Sequence, residues 1–234
     1  MPKMLSTSKT DKDHKFFERF LDNDLDDLYQ YLTDLYSNIE NGNVYELNKV
    51  FDGNSFMVLD RDKIHPADSL SSLTYSNYNI FKFEHPAIRK LAKEVKSMVL
   101  EACEYYDIDF DKQNYYLHGW FNLYKNPISK DFVDTNKDDL GWHEHAGSGI
   151  PYFHGYYSVN AEPSTTYYLV FENDVENYNK NNRAILSETG HPHAMGDWNL
   201  DKPRITIAYD VMPTNNTPNY SFRRQHDRPA FPLL

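Results

Sequence analysis

Residues Arg204 to Val211 read Arg-Ile-Thr-Ile-Ala-Tyr-Asp-Val, a short run rich in β-branched and aromatic side chains. Such a run is typical of a strand whose successive side chains point to opposite faces of a sheet. Similar runs, separated by clusters of Asn, Asp, Gly and Pro, recur after Asp111: Tyr115–Tyr124, Gly155–Val159, Thr165–Phe171 and Arg183–Ser187. This pattern predicts an antiparallel sandwich or a jelly roll.

Two helices are predicted ahead of these strands. From Phe16 to Ile39 the apolar residues recur at steps of three and four, the spacing of an amphipathic helix, with Asn23 and Asp24 as a cap or an interruption. A second helix is predicted from Pro86 to about Tyr105, because proline suits the first turn of a helix and an apolar stripe follows it. By contrast, Asn173–Asn182 is polar and Asn-rich, which predicts a loop.

The predicted organisation is a single domain, since all-β barrels of this length, 234 residues, commonly form one unit. Residues 1–110 are expected to form a helical support region, residues 111–212 a jelly-roll core and residues 213–234 an irregular tail. The expected fold class is mainly β: a double-stranded β-helix, or jelly roll, with the N-terminal helices packed on one sheet in an α+β arrangement.

The net charge of −11 comes from 35 acidic and 24 basic residues. Excess negative charge repels phosphate backbones and anionic membranes, so we expect neither duplex nucleic acid nor a membrane as partner. A small molecule or a peptide is the expected substrate, and the oligomeric state is left open. The single cysteine, Cys103, excludes an intramolecular disulfide. Without a signal-peptide pattern or a long apolar segment, the expected location is the cytoplasm.

The stretch Gly141-Trp142-His143-Glu144-His145 holds the densest group of metal-capable side chains. On an extended segment, residues two apart share a face, so His143 and His145 can face one ion while Glu144 points away. Imidazole suits iron, zinc, copper and nickel alike, so this pair alone does not select the metal.

A second group, Gly190-His191-Pro192-His193, precedes the strand that starts at Arg204. Its two histidines both offer a third imidazole to a metal. In the strand that follows, Arg204 and Thr206 share one face. An arginine in such a place can grip a carboxylate with two hydrogen bonds, and the threonine hydroxyl can add another.

In their order and spacing, these groups resemble the 2-oxoglutarate and Fe(II)-dependent oxygenase superfamily, in particular its bacterial and phage-encoded members. Members carry His-x-Asp/Glu, then a distal His and, a short distance further on, Arg-x-Ser/Thr. The corresponding features here are Trp120-Phe121-Asn122, His143-Glu144-His145, Gly155-Tyr156-Tyr157, His193 and Arg204-Ile205-Thr206. The likeness spans roughly Tyr115 to Met212.

The resemblance implies an oxidoreductase, a dioxygenase that hydroxylates its substrate while 2-oxoglutarate loses carbon dioxide to give succinate. It implies Fe(II) as the metal cofactor, with 2-oxoglutarate and O2 as cosubstrates. His143 and His193 would be iron ligands. Arg204, assisted by Thr206, would take the distal carboxylate of 2-oxoglutarate, and Tyr157 would help to hold this cosubstrate.

The sequence departs from the family at the first motif, where His145 stands in place of the usual Asp or Glu. Either His145 joins the other two ligands in an all-histidine triad, or Glu144 supplies a carboxylate through a local bulge. Strand alternation favours His145, which leaves the site less neutralised by one negative charge. For the distal ligand, the family's spacing to Arg204 selects His193 over His191.

Two other interpretations are open. A cupin-type metalloprotein also combines His-x-His with a distant His on a β-barrel, and would be a 2-oxoglutarate-independent dioxygenase, an isomerase or a binding module. It would usually have a Glu a few residues after the first pair, whereas Ala146–Ile150 follows here, and it would not need Arg204. A non-enzymatic jelly-roll protein would bind no metal and would tolerate alanine at all three histidines.

Overall fold

The structure is a computed structural model that describes residues 13–40, 79–108, 115–124, 142–144, 153–171, 173–213 and 231–232. Two α-helices, α1 (Leu25–Glu40) and α2 (Pro86–Tyr105), flank a 3-10 turn, Ile80–Lys82. Among the residues described, neither helix combines the length and the apolar character needed to cross a bilayer.

The second predicted helix is confirmed as α2. Pro86 occupies its first turn, and the His85 side chain accepts a hydrogen bond from Ala87 N at 3.3 Å, which caps the helix. The predicted apolar stripe is buried along its whole length: Ile88, Leu91, Val95, Met98, Val99 and Ala102.

The first predicted helix is wrong in its N-terminal part. Phe17–Phe20 form a strand, β1, and α1 begins only at Leu25. The strand pairs with a later strand, which leaves Phe17 buried. Asp24 caps α1, because its Oδ1 accepts a hydrogen bond from Asp27 N at 3.1 Å. In so short a segment, spacing of three and four does not separate strand from helix, and long-range pairing favours the strand.

The pairings among the nine described strands are all antiparallel. The remaining strands are β2 (Tyr115–Tyr124), β3 (Phe153–Asn160), β4 (Thr165–Val170), β5 (Asn173–Tyr178), β6 (Arg183–Glu188), β7 (His193–Met195), β8 (Arg204–Pro213) and β9 (Phe231–Pro232). A six-stranded sheet has the order β1-β6-β3-β8-β2-β9, and a three-stranded sheet has the order β5-β4-β7. The five strands predicted from the β-rich runs are confirmed as β2, β3, β4, β6 and β8.

The loop predicted for Asn173–Asn182 is wrong in its first half, because Asn173–Tyr178 form β5. This strand lies at the edge of the three-stranded sheet and is largely exposed. An exposed edge strand needs no alternation of apolar and polar side chains. Its polar sequence therefore carries no strand signal.

The helices cover one face of the six-stranded sheet, as predicted. Four alternate residues of β8 are fully buried and join the apolar stripe of α2 in one cluster: Ile205, Ile207, Tyr209 and Val211. The hydroxyl of Tyr209 donates to Ile185 O at 2.6 Å, which ties β8 to the backbone of β6.

The other face of the six-stranded sheet packs on the three-stranded sheet. Tyr156 and Ile185 of the large sheet form one buried cluster with Tyr168 and Val170 of the small sheet. We call the side of the large sheet that is turned toward the small sheet the inter-sheet face. By strand alternation, three polar residues of β8 lie on this face: Arg204, Thr206 and Asp210.

Strands from outside the predicted core region contribute to the large sheet. The N-terminal β1 pairs with β6, and Phe231–Pro232 pair with β2. The predicted core boundary at residues 111–212 therefore omits two edge strands. The N-terminal region is more than helical support, and the tail is not wholly irregular.

Gly155→Ala should destabilise the protein. A Cβ at Gly155 would lie 2.0 Å from Ile185 O and 2.7 Å from Tyr209 Cε2, inside the paired core of the large sheet. Because a strand carbonyl cannot retreat without disturbing the ladder, we expect the free energy of unfolding to fall by about 2 to 3 kcal/mol. Urea unfolding followed by circular dichroism measures this change.

Glu104→Ala, at an exposed position of α2, serves as the control. It should change the free energy of unfolding by less than about 0.5 kcal/mol. An equally small effect of Gly155→Ala would contradict the close contact between β3 and β6.

Candidate metal and anion site

Two of the three predicted iron ligands lie side by side. His193 begins β7, and His143 pairs with it in an isolated antiparallel bridge. His193 N donates to His143 O at 2.8 Å, and His143 N donates to His193 O at 3.0 Å. The ring centroids are 4.4 Å apart, with an interplanar angle of 58°. Because metal–imidazole bonds are about 2.0 to 2.1 Å long, two rings at such a separation can share one ion.

The third predicted ligand, His145, lies outside the described residues. Its neighbour Glu144, the alternative carboxylate ligand, is exposed. Strand alternation directs the side chains of His143 and Glu144 to opposite sides of the segment. Within residues 142–144, nothing indicates a bulge that would turn the Glu144 carboxylate toward the histidine pair.

The ring of His193 is held by two further aromatic side chains. His154 of β3 stacks on it, with 4.6 Å between centroids and an interplanar angle of 16°. Tyr168 of β4 lies 5.4 Å from it. His154 is itself fixed by Ser187, whose Oγ is 3.1 Å from the His154 Nε2. The place of His154 beside His193 depends on sheet packing that no local motif reveals.

A row of buried polar residues crosses the inter-sheet face beside this stack. Asp210 of β8 lies opposite His118 of β2 on one side and opposite His154 of β3 on the other. All three side chains are buried. A carboxylate flanked by two imidazoles lowers the cost of burying each polar group.

Arg204 lies at the other end of β8, on the same face. It is only 4% exposed, and its Nε donates to Ser164 Oγ at 3.1 Å. The ring of Tyr124 lies 6.0 Å from its Cζ. Burial lowers the pKa of Arg204 from its ordinary value, while Tyr124 and Tyr156 raise it. An arginine stays protonated in a protein, so this end of the face carries a buried positive charge.

No carboxylate among the described residues forms an ion pair with Arg204. The polar groups nearby on the face are neutral: Thr206 accepts a hydrogen bond from Asn122 Nδ2 at 3.5 Å, and Ser158 lies opposite Thr206 in the ladder. A buried cation without an anionic partner is unfavourable unless a ligand supplies the anion. The arrangement is therefore suited to binding a carboxylate.

Tyr157, the predicted tyrosine of the cosubstrate site, lies on the opposite side of the sheet. It is part of the helix-covered core, and its hydroxyl accepts a hydrogen bond from Asn23 Nδ2 at 3.0 Å and donates one to Asn182 Oδ1. Its neighbour Tyr156 faces the inter-sheet side, close enough to influence the pKa of Arg204. The two adjacent tyrosines can be told apart only when the strand's facing is known.

His191, the alternative distal ligand, belongs to a different cluster. Its ring centroid is 4.2 Å from that of His14 and 5.4 Å from that of Phe171. With Glu188, these two histidines form a group in which one ligand atom from each residue lies within 4.8 Å of the others. Burial lowers the pKa of His191 to about 4, and that of His14 to about 3.

No protein-family model matches the sequence, and a search among curated proteins also finds no match. Several solved structures are similar at low identity. A Pseudomonas putida prolyl-4-hydroxylase has 7% identity and a TM-score of 0.42, over 85% of this chain and 92% of its own. EvdO2 from Micromonospora carbonacea var. aurantiaca, complexed with 2-oxoglutarate, has 10% identity and a TM-score of 0.42, over 94% and 98%. ThoJ, a non-heme monooxygenase in a nickel complex, has 17% identity and a TM-score of 0.34, over 77% and 72%.

Arg204→Met should stabilise the ligand-free protein. Methionine has a similar length, and it removes a buried charge that has no anionic partner among the described residues. We expect the free energy of unfolding to rise by about 1 kcal/mol, as when buried ions are replaced by apolar side chains. Urea unfolding in a buffer without carboxylates measures this change.

Arg183→Met is the matched control, because Arg183 has partners. It pairs with Glu18 at 3.4 Å and donates hydrogen bonds to Asn177 Oδ1 and Tyr178 O. Its replacement should lower the free energy of unfolding by about 2 kcal/mol. An equal loss of stability in both variants would contradict the interpretation of Arg204 as a buried charge that is compensated only when an anionic ligand binds.

Proposed function

We propose that the protein is a 2-oxoglutarate and Fe(II)-dependent oxygenase, a hydroxylase built on a jelly roll. One observation carries the proposal: the buried Arg204, without an acidic partner among the described residues, faces the same inter-sheet space as the His143–His193 pair. The oxygenase site needs these two parts, a metal-binding histidine pair and a cation for the far end of a dicarboxylate, in one cavity.

The strand pairing supports the jelly roll. If the bridge at His143 is counted as a strand, then eight strands pair first with eighth, second with seventh, third with sixth and fourth with fifth: β2 with β8, the bridge with β7, β3 with β6, and β4 with β5. This is the pairing of one long antiparallel hairpin rolled into two sheets, as in a jelly roll. The contact of β3 with β8 joins the pairs of the large sheet.

Strand β4 relates the two parts of the site in space. His193 lies opposite Tyr168 of β4 in the ladder. Arg204 donates a hydrogen bond to Ser164, the residue just before β4. Four residues along a strand span about 13 Å. A metal held by the histidines and a dicarboxylate bound both to it and to the Arg204 guanidinium can together bridge such a gap.

Each residue of the proposed site has a defined role. His143 and His193 hold Fe(II), with His145 as the third ligand. Arg204 binds the distal carboxylate of 2-oxoglutarate with two charge-assisted hydrogen bonds, and the hydroxyl of Thr206 supports it. Tyr157 is not needed for this task, because it faces the helices.

Bound Fe(II) and 2-oxoglutarate would supply the oxidising chemistry: one oxygen atom of O2 would enter the succinate that forms, with carbon dioxide, from 2-oxoglutarate, and the other would hydroxylate a C–H bond of the substrate. The protein would orient these groups and exclude water. Burial of His154, Tyr156 and Tyr168 around the face provides the dry surroundings that such chemistry needs. A small molecule or a peptide remains the proposed substrate class.

The proposal is tested by anaerobic titration of metal-free protein with Fe(II) and then with 2-oxoglutarate. We expect the weak visible charge-transfer band of a keto acid chelated to ferrous iron. His193→Ala should abolish the band. Arg204→Met should retain it but weaken 2-oxoglutarate binding about 100-fold, because a buried carboxylate loses its charged partner.

His85→Asn is the control for loss of a histidine elsewhere. Asparagine can also cap α2, and His85 lies beside Asp27 of α1, away from the inter-sheet face. The charge-transfer band of the His85→Asn variant should equal that of the wild type. Iron binding without a band would reject the use of 2-oxoglutarate and favour the cupin interpretation. Absence of iron binding would reject the proposed oxygenase.

A further inference from the structure

A second group of metal-capable side chains lies outside the site proposed for iron. His14 precedes β1, Glu188 ends β6, and His191 lies in the turn between β6 and β7. One ligand atom from each residue lies within 4.8 Å of the others. The sequence connects neither His14 nor Glu188 to a motif, and His14 is brought to the other two only by the pairing of β1 with β6.

The carboxylate member of this group, Glu188, is on the opposite face of the large sheet from Arg204. Glu188 lies opposite Phe153 in the ladder, and Phe153 belongs to the helix-covered core. The side chain of Glu188 therefore points away from the inter-sheet face. An ion at this group would be separate from the site at His143 and His193.

The surroundings of His14 favour a ligand at its ring. Both of its ring nitrogens are buried, and neither has a hydrogen-bond partner among the residues that the structure describes. The ring is held edge-on by Phe16 at 4.8 Å and by His191 at 4.2 Å. A buried imidazole normally satisfies at least one nitrogen, because an unpaired buried polar atom is costly. A bound cation would satisfy it.

The donor set also matches a cation. Two imidazoles and one carboxylate are common ligands of zinc and of other divalent first-row metals. A tetrahedral zinc ion holds its ligand atoms about 3.4 Å apart, so closing the present group requires movements of only about 1 Å. The Glu188 carboxylate, which is 2% exposed, would supply negative charge to offset that of the ion.

We infer that His14, Glu188 and His191 form a second, structural site for a divalent first-row metal such as Zn(II), independent of the iron site. The ion ties the segment before β1 to the turn that leads into β7. Because that turn ends at His193, the second ion also steadies the strand that carries a proposed iron ligand. The inference does not depend on the proposed function.

The test is titration of the metal-free protein with Co(II), read by visible absorption, together with thermal unfolding in the presence of Zn(II). His14→Phe removes a ligand but keeps an aromatic ring against Phe16. Glu188→Gln keeps the size and removes the charge. Each variant should bind one equivalent of Co(II) fewer than the wild type and should lose most of the rise in Tm that Zn(II) produces. Circular dichroism checks that both variants fold.

His193→Ala and His85→Asn separate the possible outcomes. If only His193→Ala loses an equivalent, the second site is rejected and the proposed iron site stands. If only His14→Phe and Glu188→Gln lose one, the second site stands and the proposed iron site falls. If each of the three loses one equivalent and His85→Asn loses none, both sites are supported. An equal loss in His85→Asn would mean that binding is unspecific, and it would reject the second site.

Discussion

Along β8, successive side chains alternate between the two faces of the large sheet, and both the core and the candidate site follow from this alternation. This strand lies inside the six-stranded sheet, paired with β2 on one side and β3 on the other. Ile205 and its alternate neighbours form the helix-covered core, whereas Arg204 and Thr206 face the second sheet. A slip of one residue would bury Arg204 under the helices and place isoleucines in the inter-sheet space. Core and site are thus specified together.

The same constraint explains why the site is built at some cost in stability. A core position on β8 buries apolar area, but the site positions bury a guanidinium, a hydroxyl and, at Asp210, a carboxylate. Desolvation of such groups is unfavourable unless partners or ligands compensate. Proteins tolerate such arrangements where a ligand is bound, and this relates the electrostatics of the inter-sheet face to its function.

Much of the fold was predictable from local sequence. The apolar stripe of α2, the proline at its start and the β-rich runs each reflect a periodicity that packing enforces. The neighbourhood of His143 and His193 was predictable from the order of the motifs, and the shared face of Arg204 and Thr206 from strand alternation. These features depend either on the spacing of residues within one segment or on the resemblance of the order of the motifs to that of a known family.

What could not be predicted depends on contacts between distant segments. β1 is a strand only because β6 offers it an edge, and β5 has an exposed edge position that needs no apolar pattern. Which of Tyr156 and Tyr157 lies on the inter-sheet face depends on how β3 is oriented in the sheet. The approach of His14 to His191 follows from the pairing of β1, so no local signal indicates it.

The proposed function requires the inter-sheet face to hold Fe(II) and 2-oxoglutarate. Its most direct test is anomalous X-ray diffraction from crystals grown anaerobically with both. We expect an iron peak within bonding distance of a ring nitrogen of His143 and of His193, and a dicarboxylate whose far end meets Arg204. Iron absent from this histidine pair, or a carboxylate of the chain itself paired with Arg204, would contradict it.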